Sequence, residues 1–420
     1  MPMSDILLIN VSGHDKPGLT SAITSILAAY DLVMLDVGQS VIHDHLTWGM
    51  LVRLPQAGPS GNDASQVIKD LLFEMHARDL QISFTPVAEA DYNEWVKGKG
   101  KTRFIVTLLA REIKAEHIAR ASAITAANGL NIDQIQRLST RLDLYDASKR
   151  NHACIELSVR GEPHDPEKLK TEFLQIANEL NIDIAFQKDD LFRRNRRLVV
   201  FDMDSTLIEA EVIDELAKEA GVGDQVIEIT ELAMRGEIEF AESFRRRVRL
   251  LKGLKSETLE TVALRLKLTE GAELLISSLR KLGYKTAILS GGFNFFARRL
   301  QAQLGIDYVF ANELDIRDGL VTGEVSGEIV DGARKAALLH EIAAREGIQL
   351  EQVIAVGDGA NDLPMLSTAG LGVAFRAKPV VRKSASQSIS YLGLDSILYL
   401  LGFRESDLRL LEGRDSADEI

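Results

Sequence analysis

LVVFDMDSTLIEAEVID, residues 198–214, joins an unbroken apolar run to a cluster of acids. Four bulky residues, Leu198 to Phe201, lead straight into Asp202 and Asp204, two carboxylates one residue apart. A short continuous apolar run reads as a strand buried on both faces, as in parallel sheets. Acids ending such a strand need a reason, because burial and like charge both disfavour the ionised form. Open parallel sheets supply one: their ligands bind beyond the carboxyl ends of the strands.

Working outward, runs of the same kind recur at TAILSG (286–291), YVFA (308–311), VIAVGDG (353–359) and LGVAF (371–375), alternating with helical patterns. They predict an α/β domain around a parallel sheet. The mostly helical stretch 212–280 is too long for one crossover and reads as a cap inserted over the sheet's carboxyl edge. Three strand ends carry chemistry: Asp202 with Asp204, Ser290 with Gly291 and Gly292, and Asp358 with Asn361 and Asp362. Lys335, in DGARKAALL, opens a helix between the last two. Converging carboxylates without histidine or cysteine make a hard oxygen site suited to Mg²⁺. A cation would offset their repulsion and keep one carboxylate ionised as a nucleophile. Ser290, the amides of Gly291 and Gly292, and Lys335 are donors for three phosphoryl oxygens. Taken singly, DxD is a turn or solvated pair, GDG a turn, and a helix-opening lysine a surface group. The order DMDST, LSGG, Lys335, GDGAND, with acids set after apolar strands, is what departs from those readings.

That set of motifs resembles the haloacid dehalogenase-like phosphatases over residues 198–400. DMDST, GDGANDLPML and AMRGEIEFAESFRRRVRLLKG (233–253) are similar to the branch of that family that hydrolyses O-phosphoserine. The resemblance implies a Rossmann-like sheet with a helical cap. It makes Asp202 the nucleophile, forming an aspartyl-phosphate, and Asp204 the acid that protonates the leaving oxygen and then deprotonates water. Mg²⁺ would be held by the Asp202 and Asp358 side chains and the Asp204 carbonyl, with Asp362 and Asn361 supporting. Phosphoserine carries an ammonium and a carboxylate besides its phosphate, so selectivity needs one acid and one base facing the phosphate site. Glu211 and Arg247 match the family's positions for those tasks, and a guanidinium fork suits a carboxylate. Met234 and Phe240 would close the pocket against water. Arg245, Arg246 and Arg249 read as a solvated helix face.

The first 190 residues show a repeat. ILLINVSG (6–13), PGLTSAITSILAAY (17–30), VMLDVGQSVI (33–42), LTWGMLVRLP (46–55), ASQVIKDLLFEMHARD (64–79) and LQISFTPV (80–87) read as βαββαβ. The order returns from FIVTLLAR, whose first residue, Phe104, stands 98 after Ile6. Two ferredoxin-like modules are expected, at 1–92 and 93–190, followed by the phosphatase-like domain at 191–410. DYNEWVKGKGK (91–101) reads as the polar connection between the modules, and RRNRR (193–197) as a solvated linker. VSGHDKPGLTSAI (11–23) resembles the ACT-domain loop, which implies that a small amino acid, serine here, binds at Asp15 and Gly18 across a homodimer. Gly18 permits close backbone approach, and a helix start favours a carboxylate. The same offset puts Glu116 opposite Gly18, without Pro or Gly, so module two is expected to be structural or dimerising. His43 and His45 read as a hairpin turn, and the acidic tail 412–420 as disordered.

With a net charge of −13 in 420 residues, a broad basic face for nucleic acid is not expected. One cysteine, Cys154, allows no internal disulfide. Without a signal-like N-terminus or an apolar run of membrane-spanning length, a cytoplasmic enzyme is expected. Two further readings use the same residues. A phosphotransferase would pass the phosphoryl group to an alcohol such as homoserine. An amino-acid sensor would carry a silent phosphatase domain, against which the intact Asp202, Asp204, Lys335 and Asp358 speak.

Overall fold

Alternation in ILLINVSGH and HLTWGMLVR buries one side chain in two, which places helices on one face of each sheet these strands build. The computed structural model describes residues 5–54, 64–98, 100–141, 152–235 and 237–411. Two compact units form, Met1–Lys101 and Thr102–Ile420.

The first unit runs β1 (Ile6–His14), α1 (Leu19–Ala29), β2 (Val33–Ile42), β3 (His45–Arg53), α2 (Ala64–Ala77), β4 (Gln81–Val87) and α3 (Glu89–Gly98). Its antiparallel sheet has the order β2-β3-β1-β4. Ile9, Val11, Trp48 and Met50 pack from the sheet against Ile23, Leu27, Leu71 and Met75 of the helices. DYNEWVKGKGK is not a plain linker: residues 89–98 are helical, and the 92/93 boundary falls inside α3. Tyr92 and Trp95, three apart and so on one helix face, line a cavity of about 430 Å³ with Leu8, Leu51 and Val87.

The second unit opens with the repeat: β5 (Arg103–Ala110), α4 (Ala115–Ala127), β6 (Asn131–Arg137), β7 (Ala153–Arg160), α5 (Pro166–Leu180) and β8 (Asp183–Lys188), in sheet order β6-β7-β5-β8. There follow β9 (Leu198–Phe201), α6 (Val212–Glu219), α7 (Gly223–Met234), α8 (Phe240–Leu250), α9 (Ser256–Arg265), α10 (Ala272–Lys281), β10 (Lys285–Phe293), α11 (Asn294–Leu304), β11 (Tyr308–Arg317) and β12 (Leu320–Ser326). The chain continues through α12 (Gly332–Glu346), β13 (Val353–Gly357), α13 (Leu363–Thr368), β14 (Leu371–Phe375), α14 (Pro379–Ser384), β15 (Gln387–Ile389), α15 (Ile397–Leu400) and α16 (Glu405–Leu411). The seven-stranded sheet has the order β12-β11-β10-β9-β13-β14-β15. β9 lies in its middle, parallel to both β10 and β13, with Val200 opposite Ala287 and Ala355. Every residue of β9, β13 and β14 is buried, which is why these strands carry no polar alternation.

The helical stretch after β9 divides. Residues 207–209 and 267–269 form a paired stalk, with the Glu209 N–H donating to the Lys267 carbonyl (3.0 Å) and the Thr269 N–H to the Leu207 carbonyl (3.0 Å). Helices α6 to α9 lie between these segments, whereas α10 packs on β10 as an ordinary crossover helix. RRNRR is not wholly solvated either. Arg193 is 2% exposed and donates to Glu156 Oε2 (2.7 Å), and the buried Arg196 donates to the Glu351 carbonyl. These remote acceptors are why the cluster folds inward. The expectation for the tail lies outside the described residues.

β8 is fastened to the far end of the large sheet. Gln387 both accepts from the Phe186 N–H (2.9 Å) and donates to its carbonyl (2.7 Å). Asp183 accepts the Ser390 N–H at 2.7 Å and the Tyr391 N–H at 3.0 Å, one on each oxygen. Burial pushes its carboxyl up to about 6, although those two N–H groups pull the other way. Asp183→Asn should therefore destabilise the second unit by about 1–3 kcal/mol, because the amide turns a donor toward one of two N–H groups. Urea unfolding measures this. The raised value also means that stability from this titration is lost as pH climbs from the ordinary 3.8 through about 6. The wild-type advantage should thus narrow across that window.

Candidate active site

The end of β9 is where the buried charges meet. The Asp202 N–H donates to the Val356 carbonyl of β13 (2.9 Å), which fixes where its side chain leaves the sheet. Asp202 Oδ1 accepts from Lys335 Nζ at 2.8 Å, and the same ammonium donates to Asp362 Oδ1 at 2.6 Å. Lys335 is fully buried in the first turn of α12, a helix started by Asp331, whose carboxylate accepts the Arg334 N–H (2.9 Å). The other oxygen of Asp362 accepts the N–H groups of Asp358 (3.1 Å) and Gly359 (2.9 Å). Thr206 donates to Asp358 Oδ1 at 3.3 Å. Asp204 Oδ1 accepts the Val212 N–H at the start of α6 (3.0 Å).

Ser290 is fully buried and its Oγ accepts the Gly292 N–H (2.9 Å), forming a tight turn near the end of β10, where its register with β11 shifts. Two glycines there are forced by crowding. A Cβ at Gly292 would stand 2.4 Å from Asp204 Oδ2, and one at Gly291 would stand 2.9 Å from the Phe240 ring. Phe240, on α8, therefore packs directly on the Ser290–Gly292 turn. Asn361 folds its amide against Gly359. Above this floor, Glu211 precedes α6 and accepts from Ser205 (2.7 Å), while Arg247 of α8 is buried with no partner for its Nε. Arg245, Arg246 and Arg249 of the same helix are exposed. Met234 ends α7, and its side chain lies outside the described residues.

The electrostatics follow from this crowding. Burial, then the Asp362 charge, lifts Asp202 well above the carboxylate range, and Lys335 opposes both. Burial and Glu211 do the same to Asp204. Asp358 is pushed up to about 7 by burial, Asp362 and Glu211. Burial acts to lower Lys335, but Asp202 and Asp362 carry it above its usual value. For Arg247, burial depresses the guanidinium while Asp214, Glu211 and Asp204 hold it up.

Oxygens of Asp202, Asp358 and Asp362 lie within 4.8 Å of one another. With several acids facing one lysine, and no soft donor among them, the site fits a divalent cation. Both oxygens of Asp362 are already engaged, by Lys335 and by backbone N–H groups, which fits a supporting role there.

Three contributors escaped the sequence reading. Asn312, 1% exposed on β11, donates to the Gly291 carbonyl (2.8 Å) and accepts the Val330 N–H (2.8 Å). It ties the Ser290–Gly292 turn to the segment leading into α12. Thr206 and Asp214 are the others; a hydroxyl after DMDS and an acid four residues before Lys218 carry no distinctive local signal. In the first unit, Gly18 caps α1 at φ 89°, and the Asp15 N–H donates to the Asp44 carbonyl (2.7 Å). His43 and Asp44 form the hairpin turn between β2 and β3.

Comparison with known proteins bears on the family of each part of the chain. The signature of haloacid dehalogenase-like hydrolases matches residues 199–367, and two ACT-domain signatures match 5–85 and 102–187. The chain is 41% identical over 404 residues to a phosphoserine phosphatase of Streptomyces coelicolor, covering 96% of this chain and 93% of that one. It is 39% identical over 415 residues to phosphoserine phosphatase SerB2 of Mycobacterium tuberculosis, covering 99% and 97%. Among solved structures, a haloacid dehalogenase-family hydrolase of Salmonella enterica serovar Typhi superposes with TM-score 0.62 at 34% identity, over 71% of this chain and 98% of that one. A probable phosphoserine phosphatase of Vibrio cholerae gives 0.55 at 32%, over 76% and 90%.

The acid cluster makes a prediction that needs no substrate. A carboxyl raised to about 7 destabilises the fold as pH rises through that value. In chelator at pH 8, Asp358→Asn should be more stable than wild type by on the order of a few kcal/mol, the equivalent of such a shift. Adding a divalent cation should raise the thermal midpoint of wild type and leave the variant nearly unmoved. Equal cation responses would place the ion elsewhere.

Proposed function

The chain belongs to the haloacid dehalogenase-like hydrolases, with two ACT domains ahead of the hydrolase domain, and we propose that it hydrolyses O-phosphoserine to serine and phosphate. The observation that carries this is the pairing of two sets of groups. Lys335, Asp202 and the Ser290–Gly292 turn suit a phosphoryl group, while Glu211 and Arg247 offer one acid and one base to an amino acid.

The chemistry assigned to these residues is a double displacement. Asp202 attacks phosphorus, the ester P–O bond breaks, and an aspartyl-phosphate forms. Asp204, raised by burial beside Glu211, enters protonated and gives its proton to the departing serine oxygen. The resulting carboxylate takes a proton from water, which attacks phosphorus, releases phosphate and restores Asp202. Lys335, the Ser290 hydroxyl and the amides of Gly291 and Gly292 hold the equatorial oxygens. Asp202, Asp358 and the Asp204 carbonyl would hold Mg²⁺, which when bound offsets phosphate charge and keeps Asp202 ionised. Arg247 takes the substrate carboxylate, Glu211 its ammonium, and Phe240 and Met234 screen the pocket from water. Asn312 acts through the Gly291 carbonyl.

We assign the functional division as ACT domains at 1–92 and 93–190 and a phosphatase domain at 191–410. Serine, the product, is the proposed ligand of the first ACT domain, at the Asp15–Gly18 turn and across a homodimer. No helix among the described residues is long and apolar enough to cross a membrane.

The reaction is tested by phosphate release from a panel of phosphorylated amino acids and sugars, with Mg²⁺ and with chelator. Arg247→Ala should cut phosphoserine turnover by about 10- to 100-fold, the equivalent of a charge-assisted bidentate contact. A simple aryl phosphate, which presents no carboxylate, should be affected far less. Equal losses on both would assign Arg247 to the phosphate or to the fold.

Regulation has its own test. A Cβ at Gly18 meets no atom within 4 Å, but φ there is +89°, so alanine is strained and the turn must shift. Gly18→Ala should weaken the response of activity to serine while leaving turnover without serine intact, and Glu116→Ala should change little. Unchanged inhibition in Gly18→Ala would make serine a plain product inhibitor at the active site.

A further inference from the structure

The two stalk segments that join the cap to the α/β layer converge on one carboxylate. Glu270 directly follows the second segment, and its carbonyl accepts the Leu394 N–H at 2.8 Å. Its side chain receives Arg111 as a fork, Nη1 on Oε1 at 2.8 Å and Nη2 on Oε2 at 2.8 Å. Arg376 adds Nη2 to the same carboxylate at 3.1 Å, and its Nη1 stands 3.7 Å from Glu209 on the first segment. Arg376 follows β14 at φ 44°, a left-handed conformation unusual for arginine, and its N–H is tied to the Ile389 carbonyl (2.7 Å). The next residue after Glu270 is just as constrained: a Cβ at Gly271 would come within 2.1 Å of Asp395 Oδ1. Asp395 in turn lies 3.3 Å from His152 Nε2.

Arg111 and His152 belong to the second repeat, one just after β5 and one just before β7. Arg111 begins the loop that corresponds, by the 98-residue offset, to the loop carrying the Asp15–Gly18 turn in the first. The loop in which the first ACT domain would bind an amino acid is thus, in the second, a bracket on the cap stalk. A bidentate guanidinium–carboxylate contact is the surface ion pair whose geometry can carry measurable energy.

We propose that the second ACT domain is a strut for the cap, with Arg111, acting through Glu270, a positioning residue for phosphoserine hydrolysis. It holds the stalk at the height from which α6 and α8 bring Glu211 and Arg247 over the phosphate site. The inference rests on the reading of Glu211 and Arg247 as the substrate's amino-acid clamp. Arg111 matters only to substrates that need the cap, which separates a positioning role from a structural one.

The experiment uses the full-length chain with Mg²⁺, comparing wild type, Arg111→Ala, Arg111→Lys, Glu270→Gln and Arg111→Ala/Glu270→Gln. Arg120→Ala is the control, since Arg120 pairs with Glu179 inside the same domain (2.5 Å) and does not reach the stalk. Arg111→Ala should lower kcat/KM for phosphoserine about two- to fivefold, mainly through KM, the range a partly exposed pair can supply. Hydrolysis of an aryl phosphate should be unchanged. Lysine, with its point charge, should restore part of the loss, and the double variant should be no worse than the poorer single. An equal fall on both substrates, unchanged phosphoserine kinetics, or additive losses would each overturn the strut. Wild-type protein without phosphoserine turnover would overturn the underlying reading as well, so the two failures are told apart.

Discussion

A fully buried ammonium, Lys335, held between Asp202 and Asp362, is the constraint on which the rest of this site depends. Removing one partner of a buried pair leaves the other charge unpaired, at a cost of about 3–5 kcal/mol. The three residues come from a strand end, a helix start and the loop after another strand, so the salt bridge also sets the spacing of β9, α12 and β13. One lysine cannot neutralise Asp202, Asp204, Asp358 and Asp362 together. In the proposed reaction a divalent cation would absorb that surplus negative charge, and the donors at Ser290–Gly292 would hold phosphoryl oxygens beside it.

Much of this could be read from the chain, for a physical reason. Strands buried on both faces must be apolar throughout, so LVVF and VIAVG announce themselves, and any acid at their ends is conspicuous. The βαββαβ repeat was legible because strands with one wet face alternate, as HLTWGMLVR does. The hairpin of β11 and β12 went unread, although Asp318–Gly319, both at positive φ, form the two-residue turn that dipeptide favours.

What was not legible depends on partners far away in sequence. Asn312 is one polar residue following the apolar run YVFA, and its worth lies in a carbonyl 21 residues earlier and an N–H 18 residues later. RRNRR looked solvated by composition, yet Glu156 and the Glu351 carbonyl draw two of its arginines inside. The segment around Tyr92 and Trp95 was polar enough to pass for a linker; only the i, i+3 spacing of its aromatics pointed to a helix with one apolar face. Composition decides burial on average, and single long-range contacts decide it at a given residue.

The same stalk that carries the cap also carries the acid. Asp204 accepts a backbone N–H from Val212, the first residue of α6, eight positions on. The Gly292 backbone leaves no room for a side chain beside its other oxygen. Residues 205–211 thus link the first cap helix to the acid, and one of the two groups beside the Asp204 carboxylate belongs to α6. In the reading proposed above, the start of α6 carries both Glu211, the group assigned to the substrate ammonium, and the Val212 N–H that holds the acid. On that reading, substrate recognition and proton transfer meet at adjacent residues, 211 and 212, rather than through a path across the domain. An amino acid in that clamp would bear on the segment that holds Asp204, whereas a small phosphate ester, which fills no clamp, would not.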